Sequence, residues 1–328
     1  MEINKEASIE IINKFEGRKI AVVGDIALDS YIYGTINRLN PESAAILLTV
    51  HDEQEEHTLG CAGNVARNLT ALGADVSLFT VIGNDERGNI VEKICEKEGI
   101  KLICAKEGIT IKKQRWFEKG HNYYLFRTDL GESKLYPISE KAEEELLTKL
   151  NSEKYDAIIL SDYNKKVFRN NFAKKIIEMA NSRGILTLAD PKPANINSFK
   201  GIKVIRPNEK EAREITGLNN GADIQEVAKK LKEIVNSKYC VITRGKDGMI
   251  TYDNDFHHIK TKARKVSDVS GAGDTVAAVL ALSLANGSDI VTAANIANHA
   301  AGIVVAKPGT AVTSREELIN SINADETV

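Results

Sequence analysis

Two glycines, one residue apart, stand before an acidic residue in the stretch DVSGAGDT, residues 268–275. The small apolar run after it, TVAAVLALSLA, reads as a helix, so Gly271, Ala272, Gly273 and Asp274 fall at a helix N-terminus. Unpaired amides and the positive end of the helix dipole favour an anion at such a place. Glycine lets a phosphate approach the backbone without a Cβ in the way. Asp274 has two readings at this point. It caps the helix, a role Ser270 or Asp268 could also fill. Or it is a general base for a hydroxyl that attacks phosphorus.

Other polar groups also sit at the ends of apolar runs. In RPNEKEA, residues 206–212, Asn208, Glu209 and Glu211 open a helix. They suit either a cap with acidic residues in the first turn or oxygen ligands for Mg²⁺ through water. VVGDIALDSYIYG puts Asp25 and Asp29 just past the first strand, where carboxylates fit sugar hydroxyls or an ordinary turn. GCAGNVARN, residues 60–68, is a glycine-rich turn opening a helix, with Asn64 on its first turn. It lacks G-x-G-x-x-G and follows the polar HDEQEEHT, read as a loop, which argues against a dinucleotide site. TRGKDG, residues 243–248, ends a strand and turns into a hairpin. His257-His258 read as a solvated strand edge, His299 as helix packing, and Trp116 with Tyr123-Tyr124 as hairpin packing.

The elements that must position these residues alternate. KIAVVGD, DVSLFTVIG, DAIILSD, ILTLADP, KVIRPN and YCVITRG read as strands. Helical patterns lie between them, and three more close the chain at 271–286, 289–304 and 314–322. Such alternation predicts an α/β fold: a central, mostly parallel sheet covered on both faces, with ligands beyond the carboxyl ends of its strands. The polar strand ends GD, SDY, DPK, RPNE and TRG are therefore the places for a site. SAAILLTVHDE and TIKKQRWFEKGHNYYLFRTD break the alternation. They predict a small antiparallel β-sheet lid inserted at about 30–50 and 109–128, its hairpin turning near Lys119-Gly120, in one domain spanning 1–328.

Composition narrows the partners. The chain has 328 residues and a formal net charge of -2, with no basic tract, so nucleic acid and membrane surfaces are not expected partners. No apolar segment has the length of a membrane span and no secretory leader is visible. Cys61, Cys95, Cys104 and Cys240 form no C-x-x-C pair, as expected of reduced thiols in a cytoplasmic protein.

Taken together, the motifs resemble the ribokinase/PfkB-type carbohydrate kinases. DVSGAGDT is similar to their D-T-x-G-A-G-D signature. GCAGNVARNLTALG resembles their G-G-x-x-x-N signature, with Cys61 at the usual second glycine. PNEKE resembles N-x-x-E, and TRGKDG resembles T-x-G-x-x-G. VVGDIALDSYIYGTINRLNPES, LSDYNKKV, LADPKPAN and IANHAAGIVVAKPGTAVTS look most like bacterial D-glycero-β-D-manno-heptose-7-phosphate kinases. Departures are SAAILLTV after Glu42, and Lys166 where glycine is usual.

The resemblance implies a ribokinase-like fold and ATP-dependent phosphoryl transfer to a sugar or sugar phosphate. It points to O1 of the heptose 7-phosphate, giving the 1,7-bisphosphate. Another sugar or nucleoside as acceptor, or a non-catalytic sugar- or nucleotide-binding regulator, are the alternatives. It implies Asp274 as base, the amides of Gly271, Ala272, Gly273 and Asp274 as an anion cradle, and Asp25, Asp29, Gly60 and Asn64 on the sugar. Arg38, Lys112, Lys113 and Arg115 are the cations for a sugar phosphate. Lys192, Asn208, Thr243, Gly245, Gly248, Asn298 and Gly309 fall to the nucleotide side. Mg²⁺ belongs near Asn208 and Glu211, and a monovalent cation such as K⁺ near Asp268. Open lid edges imply a homodimer. Some relatives carry a fused nucleotidyltransferase domain, which a chain of this length is not expected to hold.

Overall fold

The computed structural model describes residues 4–38, 40–120, 123–169, 171–219, 221–263 and 265–325, and of residues 51–54 the backbone alone. The chain begins with α1 (Lys5–Asn13), β1 (Lys19–Gly24), β2 (Ile26–Thr35), β3 (Thr49–Cys61) and α2 (Ala62–Ala71). It continues through β4 (Asp75–Ile82), α3 (Glu86–Lys97), β5 (Lys101–Lys106), β6 (Lys112–Glu118) and β7 (Tyr123–Leu130). Next come α4 (Glu140–Ser152), β8 (Ala157–Ser161), α5 (Phe172–Ser182), β9 (Leu186–Asp190), β10 (Val204–Ile205), α6 (Glu209–Thr216) and α7 (Ile224–Val235). The last elements are β11 (Tyr239–Thr243), β12 (Met249–Tyr252), β13 (Phe256–Ile259), α8 (Ala272–Ala285), α9 (Ile290–Val304) and α10 (Arg315–Asn323).

A nine-stranded sheet runs in the order β13-β12-β11-β10-β9-β8-β1-β4-β5. It is parallel from β5 to β11, and the last two pairings, β11 with β12 and β12 with β13, are antiparallel, so among the described strands of this sheet β12 alone is reversed. Strand alternation sorts side chains to two cores. Ile20 and Val22 of β1 join Ala157 and Ile159 of β8 under α2, α8 and α9. Ala21 and Val23 join Ile158 and Leu160 under α4, α5 and α7. With both faces covered, the central strands carry continuous apolar runs and only their ends stay polar. Among the described residues no helix is long and apolar enough to cross a membrane.

The second sheet has the order β3-β2-β6-β7. It corrects the expectation of an antiparallel lid, because β2 and β6 run parallel, with Asp29 beside Lys113 and Tyr31 beside Arg115. Both strands leave the ends of parallel strands of the main sheet, so they enter the lid in the same direction. A second correction concerns HDEQEEHT, which is strand, not loop: β3 pairs antiparallel with β2 from Thr35↔Thr49 to Ile26↔Cys61. The strand expected over 43–53 starts only at Thr49. The hairpin joins Glu118 to Tyr123, and residues 121 and 122 lie outside the described residues.

Candidate active site

The carboxyl ends of β1, β8, β9, β10 and β11 lie side by side, and α8 starts above them. Gly271 is the N-cap of α8, with φ +79°, and no side chain caps that end. The capping reading of Asp274 is therefore not realised. Asp268 instead turns its carboxylate to the backbone, accepting from Ser270 N at 2.8 Å and Gly309 N at 3.2 Å. The leading turn of α8 thus keeps free amides facing the strand ends. Ala272 N is the exception, reaching back to Val269 O at 3.3 Å.

Asp274 is buried, 4% exposed. Its Oδ2 accepts from Asn64 Nδ2 at 2.8 Å, and its Oδ1 accepts from the Tyr163 hydroxyl at 2.7 Å. Burial raises its pKa above the ordinary carboxylate range, against the pull of these two donors. Asn64 comes from the first turn of α2, which is locked to α8 by Thr275 Oγ1 donating to Asn68 Oδ1 at 2.8 Å. The glycine-rich turn and the GAGD turn are thereby brought face to face. A Cβ on Gly271 would stand 2.5 Å from Asn64 Nδ2, and one on Gly273 would stand 3.3 Å from Arg206 Nη1.

On the lid side, Asp29 of β2 faces Arg115 of β6 at 3.2 Å. Gly60 of β3 leaves the space beside Asp29, since a Cβ there would meet its carboxylate at 2.7 Å. Lys113 Nζ lies 3.2 Å from Cys61 Sγ. Asp29 Oδ1, Asn64 Oδ1 and Arg206 Nε are buried without a hydrogen-bond partner. Orphaned donors and acceptors around Asp274 fit a polyhydroxyl or phosphate ligand that would satisfy them. A cleft of about 640 Å³ opens between lid and main sheet, where Tyr31, Arg115 and Arg127 face Ser270, Gly309 and Thr310.

Asp25 does not join this group. Its two oxygens accept the backbone amides of Tyr163 at 2.8 Å, Lys165 at 3.0 Å and Val167 at 3.1 Å. It ties down the loop after β8, with Oδ2 taking two amides and Oδ1 one. Arg38 is exposed and is not among the residues lining the cleft. Lys112 is ion-paired with Glu55. Gly309 packs against the Tyr31 ring on the lid side.

On the other side, Asn208 and Glu211 form a capping box at the start of α6, at 2.9 and 3.1 Å. Glu211 also pairs with Lys192. With these groups engaged, the pair suits Mg²⁺ only through water. Among the described residues no group of three or more His, Cys, Asp or Glu could hold a metal ion. Thr243 N donates to the Pro207 carbonyl at 3.2 Å. Gly245 and Gly248 follow it at positive φ, and Asn298 of α9 donates to Lys260 O at 2.6 Å. The sequence reading missed Tyr163 and Arg206. SDY and RPNE were marked as polar strand ends, yet nothing in either string says which side chain turns toward Asp274.

A twisted parallel sheet, a β-sheet lid and a helix start between them define the ribokinase-like architecture. The chain belongs to the pfkB family of carbohydrate kinases, whose model matches residues 18–317. It is 37% identical over 98% of its length to the bifunctional protein HldE of Paramagnetospirillum magneticum. It is 38% identical over 93% of its length to the HldE of Campylobacter concisus. The chain spans 66% and 65% of the length of those two relatives. Phosphofructokinase-2 of Escherichia coli, solved in complex with potassium, superposes with a TM-score of 0.77 at 17% identity, covering 94% of this chain and 98% of that one. Ribokinase from Thermotoga maritima gives 0.71 at 21% identity, covering 93% and 99%. At such identities these two likenesses speak for the fold alone.

Proposed function

We propose that this carbohydrate kinase transfers the γ-phosphoryl group of ATP to a sugar phosphate, with O1 of D-glycero-β-D-manno-heptose 7-phosphate as the acceptor. The observation that carries the kinase chemistry is the Asp274 carboxylate, held by two donors beside an uncapped helix start. The acceptor oxygen attacks the γ-phosphorus, the bond to the β–γ bridging oxygen breaks, and ADP leaves. Asp274 takes the hydroxyl proton as the new P–O bond forms. Charge on the moving group meets the free amides of Gly271, Gly273 and Asp274, fixed in advance by the helix. Asp29, Gly60 and Asn64 hold the sugar. Arg115 and Lys113, with Arg127 beside Arg115 on the neighbouring lid strand, supply cations for its phosphate.

Lys192, Asn208, Thr243, Gly245, Gly248 and Asn298 make up the nucleotide side. Mg²⁺ held through water by Asn208 and Glu211 would screen the phosphate charge. A monovalent cation belongs beside Asp268, whose oxygens each keep a lone pair after binding one amide. The heptose assignment rests on the resemblance of stretches such as 22–43 and on the HldE relatives. Exposed Tyr123, Tyr124 and Phe126 on β7, an edge strand of the lid, support a homodimer through that sheet.

A panel of free and phosphorylated sugars, read by coupled ADP release and then by phosphorus NMR of the product, tests the acceptor. Turnover confined to unphosphorylated sugars would overturn the sugar-phosphate reading, and ATP binding without turnover on any acceptor would overturn catalysis. Asp274→Asn is expected to lower kcat by a factor of about 10² or more with ATP binding kept.

A further inference from the structure

Tyr163 enters the reading above only as one of the two donors to Asp274, with no role of its own. It sits in a loop whose path is fixed several times over. Asp25 binds three of the loop's amides. Asp162 accepts Asn164 N at 2.7 Å, Lys192 N at 3.0 Å and Asn195 Nδ2 at 3.0 Å. Asn164 and Lys166 hold φ of +55° and +80°, backbone that L-residues keep only when surroundings enforce it.

The ring is held as firmly as the loop. Lys113 of the lid lies 5.1 Å from its centroid, and Lys192, paired with Glu211 on the nucleotide side, lies 5.2 Å from it. Ammonium groups over a ring are attracted by its π-face, so both cations keep the ring in place while its hydroxyl stays free to donate. Burial pushes the phenol pKa well above its ordinary value, so the group remains a donor at any working pH.

We propose that Tyr163 is the positioning residue of the base: its hydroxyl fixes which lone pairs Asp274 turns toward the acceptor, and Asp25 transmits the loop's rigidity to it. The inference rests on Asp274 being the base. A carboxylate with one donor on each oxygen cannot rotate without losing both bonds, and each oxygen keeps one lone pair for the incoming proton. Arg206 and Asp190 from the main sheet, Asp29 and Lys113 from the lid, Lys192 after β9 and Cys61 before α2 are the other charged or titratable groups around this pair.

The test uses the full chain with Tyr163→Phe, Asp274→Asn and the double variant. Phenylalanine keeps the ring and its neighbours, so the protein should still fold, with a fall in Tm of only a few degrees for the lost bond to a buried carboxylate. Tyr163→Phe is expected to lower kcat about 10-fold, with the sugar KM within about 2-fold, as one charge-assisted hydrogen bond is lost. Removing a donor raises the Asp274 pKa further, less of it is ionised at low pH, and the acid limb of kcat/KM moves to higher pH. On the Asp274→Asn background the same change should cost less than about 3-fold, because the charge it positions is gone. An unmoved acid limb, or an undiminished 10-fold loss on the Asn background, overturns the positioning role. Wild-type turnover by Asp274→Asn alone would instead overturn the base.

Discussion

Alanine at each of the two glycines of the GAGD turn should separate the stability of the helix start from its chemistry. Gly271 has φ +79°, and a Cβ there would stand 2.5 Å from Asn64 Nδ2. A left-handed alanine costs about 1–2 kcal/mol. Displacing Asn64 also breaks its 2.8 Å bond to the Asp274 carboxylate, worth about 1.5–3 kcal/mol. Gly271→Ala should therefore lose about 3 kcal/mol and lower Tm by on the order of 5 °C. Gly273 lies inside α8, where alanine is favoured over glycine by up to about 1 kcal/mol. Its Cβ would press on Arg206 at 3.3 Å, and that guanidinium is buried and paired with Asp190. The two effects oppose each other, so Gly273→Ala should stay within about 1 kcal/mol of the parent. Its methyl group nevertheless stands where a phosphate must approach the amides, and kcat should fall by about 10², the cost of a lost anion-hole donor. Thermal unfolding and coupled ADP release measure the two quantities on the same preparations. Parent-like kcat in a folded Gly273→Ala protein would refute the phosphate cradle.

The two aspartates of GDIALD should part in the same way. Asp25→Asn sets an NH₂ group against amide donors and should cost about 2–4 kcal/mol in urea unfolding, since buried donors lose their acceptor. Asp29→Asn should instead raise the sugar KM about 10-fold or more, with a smaller change in stability. Lys166 holds φ +80°, so Lys166→Gly should be more stable than Lys166→Ala by about 1 kcal/mol in paired melts, as only the glycine relieves that backbone. Burial pushes the Cys61 and Cys95 thiols up to about 12 and Cys240 higher still, so a thiol reagent at pH 8 should label the half-buried Cys104 first in the folded protein. Phe126→Asp on the exposed lid face should lower the mass seen by analytical ultracentrifugation if the lid joins two subunits.

The sheet was legible because its central strands are apolar on both sides, and the three closing helices because their periodicity and caps are regular. α8 starts at Ala272, α9 at Ile290 and α10 at Arg315, close to the expected 271, 289 and 314. β3 was legible only at its start: beyond residue 53 it is a polar lid strand whose pairing with β2 is made by the backbone, and hydropathy carries no trace of that. The lid's parallel β2–β6 pair was hidden for a related reason, since strand direction is set by where the chain leaves the main sheet.

Within the site, residue type located the chemistry but not the division of labour. Asp25 and Asp29 are four residues apart and chemically identical. Only the fold shows one binding three amides and the other set against Arg115 beside the cleft. Glycine was an incomplete guide as well. Cys61 stands where the related signature has glycine and still takes φ +58°, and Lys166 does the same at +80°. The backbone path is thus kept where the sequence departs, and the surrounding contacts bear the strain. In both places the departing side chain reaches a local partner, the Lys113 ammonium for Cys61 and the Leu135 carbonyl for Lys166. Neither side chain is among those lining the cleft, so each departure changes a local contact while the backbone turn keeps its path.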